Sequence, residues 1–292
     1  MSRAPSRRDR RAATNFHMAE FDLSVFYRDV LSRLLAQNLL KRNDRVLVVC
    51  AGPFDKQVLQ SLDFTNVTIT NLDDRQKVNG GAEFAPYVWD FQDLESLGYP
   101  DGSFDVVIVH SGLHHLRCPQ RGITEMYRVA RRLVIGFEPH RNLYTSLGVK
   151  LGAGQEYEDA AVFYNDCKWG GVANTDIPNY VVRFNRGDIE RTIQTFNPIA
   201  RHRIQCFYAT RIPARLQGLA RQGIIGRAVG ALTGLLAALG RLPSLANNMA
   251  FCIQKPDVPA DLFPWLTVAD GRVTCNRPWL EAKYRARGPS AG

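Results

Sequence analysis

The sequence predicts an open α/β fold, a Rossmann-like, doubly wound and mostly parallel sheet of seven strands. Two observations predict it. Short apolar runs rich in β-branched residues alternate with segments of helical periodicity between residues 41 and 139, which is typical of a parallel sheet with helices on both faces. Two later runs complete seven strands. The predicted strands are Arg45–Val49, Val67–Thr70, Pro86–Trp89, Asp105–Val109, Leu133–Phe137, Ile204–Ala209 and Met249–Ile253.

Helices are predicted where apolar residues recur every three or four positions. In the first helix, Phe21, Val25, Leu31, Leu35 and Leu39 fall at this spacing. Asn185 is a typical cap for the helix that follows it, and Asp270–Gly271 predicts a hairpin turn. The predicted helices are Phe21–Leu40, Asp55–Leu62, Ile123–Arg132, Gly187–Phe196 and Pro278–Arg287.

The chain divides into three parts by composition. Residues 1–18 are rich in arginine and predict a flexible basic tail, and residues 19–256 hold the α/β domain. Residues 257–292 predict a C-terminal extension of a hairpin and a helix. Within the domain, residues 140–186 predict an irregular, substrate-covering segment. Residues 213–242 predict a helical insertion before the last strand.

Composition narrows the class of protein. The 292 residues are 45% hydrophobic, which is typical of a globular domain, and no apolar run reaches the roughly 18 residues of a membrane span. The arginine-rich N-terminus has no apolar core, so we expect no secretory signal. The six cysteines form no CxxC pair, which favours reduced thiols and a cytoplasmic location.

The net charge of +9 is concentrated in one span. Residues 191–256 contain nine Lys or Arg and no Asp or Glu, which indicates an anionic partner. Within it, Ile224–Leu242 carries an apolar face opposite two arginines. This is either a helix packed on the sheet edge or an amphipathic element for an anionic membrane surface or a lipid-linked substrate. The span holds no recognised nucleic-acid-binding module, which argues against nucleic acid as the anionic partner.

The segment Arg45–Asp73 indicates a nucleotide site. Its pattern predicts a strand, a small-residue turn at Ala51–Gly52–Pro53, a helix and a second strand followed by the acidic residues Asp73 and Asp74. Gly52 and Asp73 lie 21 positions apart, close to the roughly 20 of a nucleotide-binding βαβ unit. Asp73 is therefore predicted to accept hydrogen bonds from ribose hydroxyls. The alternative is that Asp73 caps a helix and Asp74 is the ligand.

Two motifs then carry a resemblance to a family. FDVVIVHSGLHHL (Phe104–Leu116) is followed by ITEMYRVARRLVIGFEP (Ile123–Pro139), and the pair resembles the fourth strand, Leu-His-His turn, helix and fifth strand of class I S-adenosylmethionine-dependent methyltransferases, in the small-molecule group. The resemblance covers Lys41–Pro139 well and continues loosely to Lys255. It implies S-adenosyl-L-methionine as cofactor and methyl transfer to an oxygen or nitrogen of a small molecule, with lipid-linked or sugar-containing acceptors left open.

The resemblance also implies a cofactor site. The backbone at the first turn would approach the ligand, Asp55 would contact the methionine amino group, and Asp90 would contact the adenine amino group with Phe91 beside the ring. Asp90 alternatively caps a short helix over Phe91–Leu97. The end of the fourth strand lies where the strand order reverses, which would line the methionine end. The predicted cofactor residues are Ala51, Gly52, Asp55, Asp73, Asp90, Phe91, Ser111 and Gly112.

Three residues are predicted to be catalytic: His110, His115 and Glu138. Histidine can remove a proton from an attacking hydroxyl or amine near neutral pH, and Glu138 would orient a substrate hydroxyl or raise the basicity of a histidine. The alternatives are structural histidines that bond backbone carbonyls and a solvated turn carboxylate. The set His110, His114, His115 and Cys118 matches no usual zinc spacing, so no metal is predicted.

Two other functions remain as alternatives. A nicotinamide-dependent oxidoreductase would use a similar sheet, but no GxGxxG follows the first strand, and the pair Tyr164 and Lys168 lies outside a predicted helix. The second alternative is a non-catalytic, methyltransferase-like binding protein. Compared with the family pattern, Val48 replaces an acid of the first strand, and Cys50 and Phe54 replace two glycines of the first turn. Gly52 is then the residue that still matches the family's glycine pattern.

Overall fold

A seven-stranded sheet forms the centre of the computed structural model, which describes residues 24–152, 154–210 and 241–285. The strand order is β3-β2-β1-β4-β5-β7-β6. Strands β1 to β5 pair in parallel, and β7 is antiparallel to both of its neighbours. The predicted fold class is confirmed. The strands are β1 Val46–Val49, β2 Val67–Asn71, β3 Val88–Phe91, β4 Phe104–His110, β5 Ala130–Pro139, β6 Arg203–Ala209 and β7 Asn248–Gln254.

Helices cover both faces of this sheet. Asn185 caps the seventh helix as predicted, since its side chain accepts the N–H of Asp188 while Asp188 accepts the N–H of Asn185. Reciprocal bonds of this kind fix the residue at which a helix begins. The helices are α1 (24–36), α2 Pro53–Ser61, α3 Asp74–Val78, α4 Pro119–Val129, α5 Leu143–Lys150, α6 Asp159–Tyr164, α7 Arg186–Phe196 and α8 Arg277–Arg285.

The strands are buried on two sides because alternate residues face different helices. Val46, Val48 and Ile108 pack with α1 and α2, whereas Leu47 and Val107 pack with α4 and α7. This alternation decides which face of the sheet each residue at a strand end can reach. It therefore determines where the polar residues at the ends of β1, β2 and β4 lie.

The first helix lies on the sheet as predicted, and Leu31, Leu35 and Leu39 of the predicted stripe contact the core. Tyr27, Val30, Leu31 and Leu34 are buried, while Val25 is 48% exposed. The buried residues follow the i, i+3, i+4, i+7 pattern of one helix face. The prediction was wrong at Val25, which lies off this face, and Phe21 lies outside the described residues.

Several boundaries differ from the predictions. Arg131 and Arg132 belong to β5 rather than to the preceding helix, and β3 begins at Val88 rather than at Pro86. Segment 140–186 is not wholly irregular, since it contains the short helices α5 and α6. These helices have eight and six residues, too few turns for a clear period.

The C-terminal hairpin and helix form where predicted. Strands β8 Leu266–Ala269 and β9 Arg272–Cys275 are joined at Asp270 and Gly271, which both have positive φ, 50° and 73°, as a type I′ turn requires. The predicted tail (1–18) and most of the predicted insertion (213–242) lie outside the described residues. None of the helices in the described ranges has the length and apolar character needed to cross a membrane.

Candidate functional site

A cavity of about 320 Å³ lies at the carboxyl ends of β1, β2 and β4. The strand order reverses between β1 and β4, which is where open α/β sheets bind ligands, and the volume is within the range of small-molecule sites. Its wall includes Cys50, Ala51, Gly52, Asn71, Leu72, Asp73, Arg75, Gln92, Ser111, Gly112, His115, Leu116, Gly170, Gly171, Ala173 and Asn174. Five of the eight predicted cofactor residues are among them.

Tight backbone geometry forms the floor of this cavity. Cys50 and Ser111 adopt left-handed backbone conformations, with φ of 53° and 52°, which are uncommon for residues other than glycine. A Cβ on Gly112 would lie 2.5 Å from the Cβ of Cys50, so glycine is required there. Around Gly52 a Cβ would meet nothing within 4 Å. The first turn is therefore open to a ligand although it has one glycine.

Phe54, which replaces a glycine of the family, does not fill the cavity. Its ring packs against Tyr27 of α1 and His110 of β4, at centroid distances of 6.3 and 5.0 Å. The departure from the family pattern therefore leaves space for a nucleoside.

Asp55 is a buried cap rather than part of the cavity wall, which corrects its predicted contact with the methionine amino group. It is 4% exposed, and its Oδ2 accepts the N–H of Gly52 at 2.9 Å. Burial raises the pKa of Asp55 to about 7, against the opposing effect of the Gly52 hydrogen bond. Its position in the first turn of α2 turns the side chain back toward the helix start.

Asp73 lies in the cavity wall and also caps α3. The predicted ribose-binding position and the alternative of a helix cap are therefore compatible in one side chain. It accepts the N–H of Arg75 at 3.0 Å, and both of its oxygens accept from the Arg75 guanidinium at 2.7 Å. Partial burial alone would raise the pKa of Asp73, but Arg75 outweighs it and lowers that pKa. The other candidate, Asp74, points to Lys77 at 2.6 Å with 80% of its side chain exposed and is not in the wall.

Asn71 is a wall residue that the sequence reasoning missed. Its Nδ2 donates to the carbonyl of Ala51 at 2.8 Å, and its Oδ1 accepts from Asp73 N and from Trp89 Nε1. It therefore connects the ends of β1, β2 and β3. A polar residue directly after a β-branched strand, two positions before the acid, was the available signal.

The predicted adenine contacts also need correction. Asp90 accepts from the hydroxyl of Tyr99 at 2.6 Å and from Nε2 of Gln92 at 2.9 Å. Neither Asp90 nor Phe91 is part of the wall, and the Phe91 ring lies under Nζ of Lys77. Gln92 is in the wall. No helix forms over Phe91–Leu97, so Asp90 is not a helix cap either.

Glu138 is fully engaged in holding the turn after β4. One oxygen accepts the N–H groups of Gly112 and Leu113 at 3.0 and 2.7 Å, and the other lies 2.6 Å from Nδ1 of His114. Burial alone would lower the pKa of His114, but the charges and hydrogen bonds of Glu138 and Glu158 raise it to about 10. Glu138 thus raises the pKa of a neighbouring histidine, and its predicted part in catalysis stays a prediction.

The two predicted catalytic histidines lie on opposite sides. His110 stacks on Tyr27 at 4.8 Å with nearly parallel rings, away from the cavity, because it follows Ile108 on the α1 face. Burial, followed by the charge of His114, lowers the pKa of His110 to about 3. His115 is in the cavity wall. Burial and then the His114 charge lower its pKa as well.

The far wall comes from segment 140–186. The guanidinium of Arg75 lies 4.1 Å from the ring centroid of Trp169, and Asn174 Nδ2 donates to the carbonyl of Leu72 at 2.9 Å. Asp166, Cys167, Gly170, Ala173 and Asn174 all have positive φ. This strained loop thus closes over the ends of β2 and β4. In the same segment, α6 ends at Tyr164, so Lys168 does not share a helix with it.

Comparison with known proteins gives a family match for part of this chain. Residues 51–133 match the family model described as "Methyltransferase domain". A search of curated proteins gives no match. Similar solved structures include a SAM-dependent methyltransferase from Thermotoga maritima, with 13% identity over 83% of this chain and 96% of the other at a TM-score of 0.49. Magnesium protoporphyrin IX methyltransferase from Synechocystis, with bound SAH, has 12% identity over 88% and 90% at 0.48.

The methyltransferase-domain match covers most of the part of the chain that forms the cavity. It runs from the first turn through β2, β3 and β4 to the start of β5. The wall fits the cofactor of that family, since an ionised Asp73 can hold ribose hydroxyls, Leu72 offers an apolar surface and the open turn at Gly52 leaves room. The match to residues 51–133 identifies an S-adenosylmethionine-dependent methyltransferase domain in this chain.

Proposed function

We propose that this enzyme methylates an oxygen or nitrogen atom of a small-molecule acceptor, at the cavity wall that contains His115. One observation carries the proposal. Asp73, Gly52 and His115 line a single cavity of about 320 Å³, so a nucleoside-binding group and a group able to interact with an acceptor's proton share one space. The methyltransferase domain does not by itself specify the acceptor, so the oxygen or nitrogen atom and the small-molecule class are what we propose.

The chain's own residues act by positioning. Asp73 accepts the two ribose hydroxyls, the backbone at Ala51–Gly52 allows close approach, and Ser111–Gly112 lies at the methionine end. The bound cofactor supplies a methyl group on a sulfonium sulfur that is open to in-line attack. Orientation of the acceptor atom then lowers the barrier. His115, which has little tendency to be protonated, can accept a hydrogen bond or proton from it.

The acceptor is tested by following the methyl group. The full-length protein is incubated with isotope-labelled S-adenosylmethionine and fractionated small-molecule extracts, and the labelled product is analysed for the modified atom. We expect label on oxygen or nitrogen of a small molecule. Label on carbon, on protein or on nucleic acid would contradict the proposal.

An exposed apolar surface on the helix after β5 supports a lipid-linked acceptor. Leu143, Leu147 and Leu151 on and after α5 are 86%, 52% and 74% exposed, and exposed apolar clusters of this kind mark ligand or membrane contacts. The acid-free basic span reaches the start of this helix, since Asn142 Nδ2 donates to the carbonyls of Pro243 and Ala246 at 2.9 and 2.7 Å. Residues 211–240 of the span lie outside the described part. We infer that this side of the protein contacts an anionic lipid surface.

Vesicle sedimentation tests the lipid contact. We expect the protein to pellet with phosphatidylserine-containing vesicles and less with phosphatidylcholine alone. Replacing Leu143, Leu147 and Leu151 by serine should reduce pelleting, whereas Val258→Ser and Val268→Ser, at exposed positions elsewhere, should not. Equal recovery with and without anionic vesicles would rule the contact out.

A further inference from the structure

Three side chains beside the cavity direct their donor atoms toward one another. Nε2 of His114 and Nε2 of His115 each lie 3.3 Å from Oε2 of Glu158. One ligand atom from each of the three residues lies within 4.8 Å of the others. His114 is buried, and the other two are partly buried. Glu158 lies 43 positions beyond His115 in sequence, so no local motif announces the group.

The hydrogen bonds of the two imidazoles determine which nitrogen is free. Nδ1 of His114 contacts the carboxylate of Glu138 at 2.6 Å, and Nδ1 of His115 contacts the carbonyl of Gly171 at 3.4 Å. Both acceptors place a hydrogen on Nδ1, so Nε2 is the nitrogen of each ring that faces Glu158. Without a metal, a proton on Nε2 of His114 bridges to the Glu158 carboxylate, and a metal ion would take the place of that proton.

Two of the three separations match those of ligands on one metal ion. In a tetrahedral zinc site with bonds of about 2.0–2.1 Å, neighbouring ligand atoms are about 3.3–3.4 Å apart. Both histidine-to-glutamate distances are 3.3 Å. The contact between Glu138 and His114 is also the carboxylate–histidine arrangement that orients metal ligands from behind, and Asn179 donates to Glu158 at 3.4 Å.

We propose that His114, His115 and Glu158 bind one divalent transition-metal ion of the zinc type. Two histidines and one glutamate form a ligand set of catalytic zinc sites, which retain an open position. Because His115 is in the cavity wall, the ion would border the cavity. Binding of the ion does not depend on the proposed function. Only its role rests on that function: with Nε2 of His115 bound to the ion, the ion itself, in place of the imidazole, would contact the acceptor's attacking atom and lower that atom's pKa.

The test measures metal binding directly. Tag-free, full-length protein is stripped with a chelator, dialysed, and titrated with Zn²⁺, and Co²⁺ is added in parallel for visible spectroscopy. We expect one equivalent of tightly bound Zn²⁺. Glu158→Gln and His115→Ala should weaken binding by about 100-fold or more, beyond the about 10–100-fold cost of losing an outer-shell partner. Glu156→Gln, a change of an exposed carboxylate two positions away, should bind as the wild type.

Several results would overturn the proposal. One is the lack of stoichiometric binding by the wild type, which would leave a proton as the cation in the cluster. Another is binding that survives Glu158→Gln. A third is a Co²⁺ spectrum with thiolate charge-transfer bands, which would assign binding to exposed cysteines such as Cys118. Thermal unfolding of each variant checks that it is folded, and His115→Ala and Glu158→Gln provide independent routes to the same answer.

Discussion

The carboxylate of Glu138 lies 2.6 Å from Nδ1 of His114, and it also accepts the N–H groups of Gly112 and Leu113. One buried side chain on β5 thus holds both the backbone turn after β4 and the orientation of a histidine. Hydrogen bonds to a buried charge are strong, and loss of their acceptor leaves several groups unpaired at once. The turn that borders the cavity therefore depends on Glu138.

Replacing Glu138 by alanine should destabilise the protein strongly. We expect a loss of about 3–5 kcal/mol in the free energy of unfolding, because two buried N–H groups and a buried histidine lose their acceptor. Urea denaturation provides the measurement. Glu190→Ala is the control, since Glu190 pairs with Arg186 on the exposed side of α7 and should cost under about 1 kcal/mol. Equal losses would show that Glu138 is not an anchor.

Asp73→Asn should weaken binding of S-adenosylmethionine and of its demethylated product by about 10–100-fold. The change removes the charge that strengthens hydrogen bonds from ribose hydroxyls, each worth about 1.5–3 kcal/mol, and it weakens the pairing with Arg75. Calorimetric titration gives the affinities, with NAD as a ligand that should not bind. Asp74→Asn is the matched control and should bind like the wild type. If both variants bind equally well, Asp73 is not the ribose ligand.

Trp169→Ala should loosen the loop over the cavity. The contact between Arg75 and Trp169 is worth about 0.5–2 kcal/mol, so we expect a roughly 2–30-fold weaker affinity for the demethylated product and faster amide exchange over residues 165–177. Hydrogen exchange with and without ligand measures both effects. Trp265→Ala, near the C-terminal hairpin, should change neither. Unaltered exchange in the Trp169 variant would separate the loop from ligand binding.

Asp55→Asn should remove part of the pH dependence of stability. The pKa of Asp55 is about 7 in the folded protein and near 3.8 when unfolded, so between these values the folded state holds a proton that the unfolded state has released. The free energy of unfolding must therefore fall as the pH rises from about 4 to about 7. The asparagine variant should lack this decline, which is on the order of 4 kcal/mol.

Urea denaturation at several pH values tests this sign. The amide introduced by Asp55→Asn keeps an oxygen that can accept the N–H of Gly52, so the helix cap is preserved. The exposed Asp159→Asn serves as control and should follow the wild-type profile. The result to exclude is a wild-type free energy of unfolding that changes with pH between 4 and 7 in the same way as that of Asp55→Asn. Such a result would show that Asp55 is ionised in the folded state.

The positions of the strands and the location of the cavity could be predicted from the sequence. Apolar runs of alternating β-branched residues were enough to place all seven strands to within a few positions, because buried parallel strands leave a strong local pattern. The approach of Gly52, Asp73, Ser111 and Gly112 to one cavity also followed, since the carboxyl ends of parallel strands meet at one edge of the sheet. These are properties of short segments and of topology.

The roles of individual side chains were decided only by the tertiary structure. Strand alternation fixed that His110 turns to α1 while His115, on the turn beyond the strand, faces the cavity, and this depends on where β4 ends. Asp55 accepts a hydrogen bond from Gly52, and Asp90 accepts from Gln92 and Tyr99, which are partners close in sequence. Such hydrogen bonds are stronger when they are shielded from water. Glu158 joins His114 and His115 from a distant loop. No local pattern encodes such a contact, because it arises only when loops that are far apart in the chain pack together.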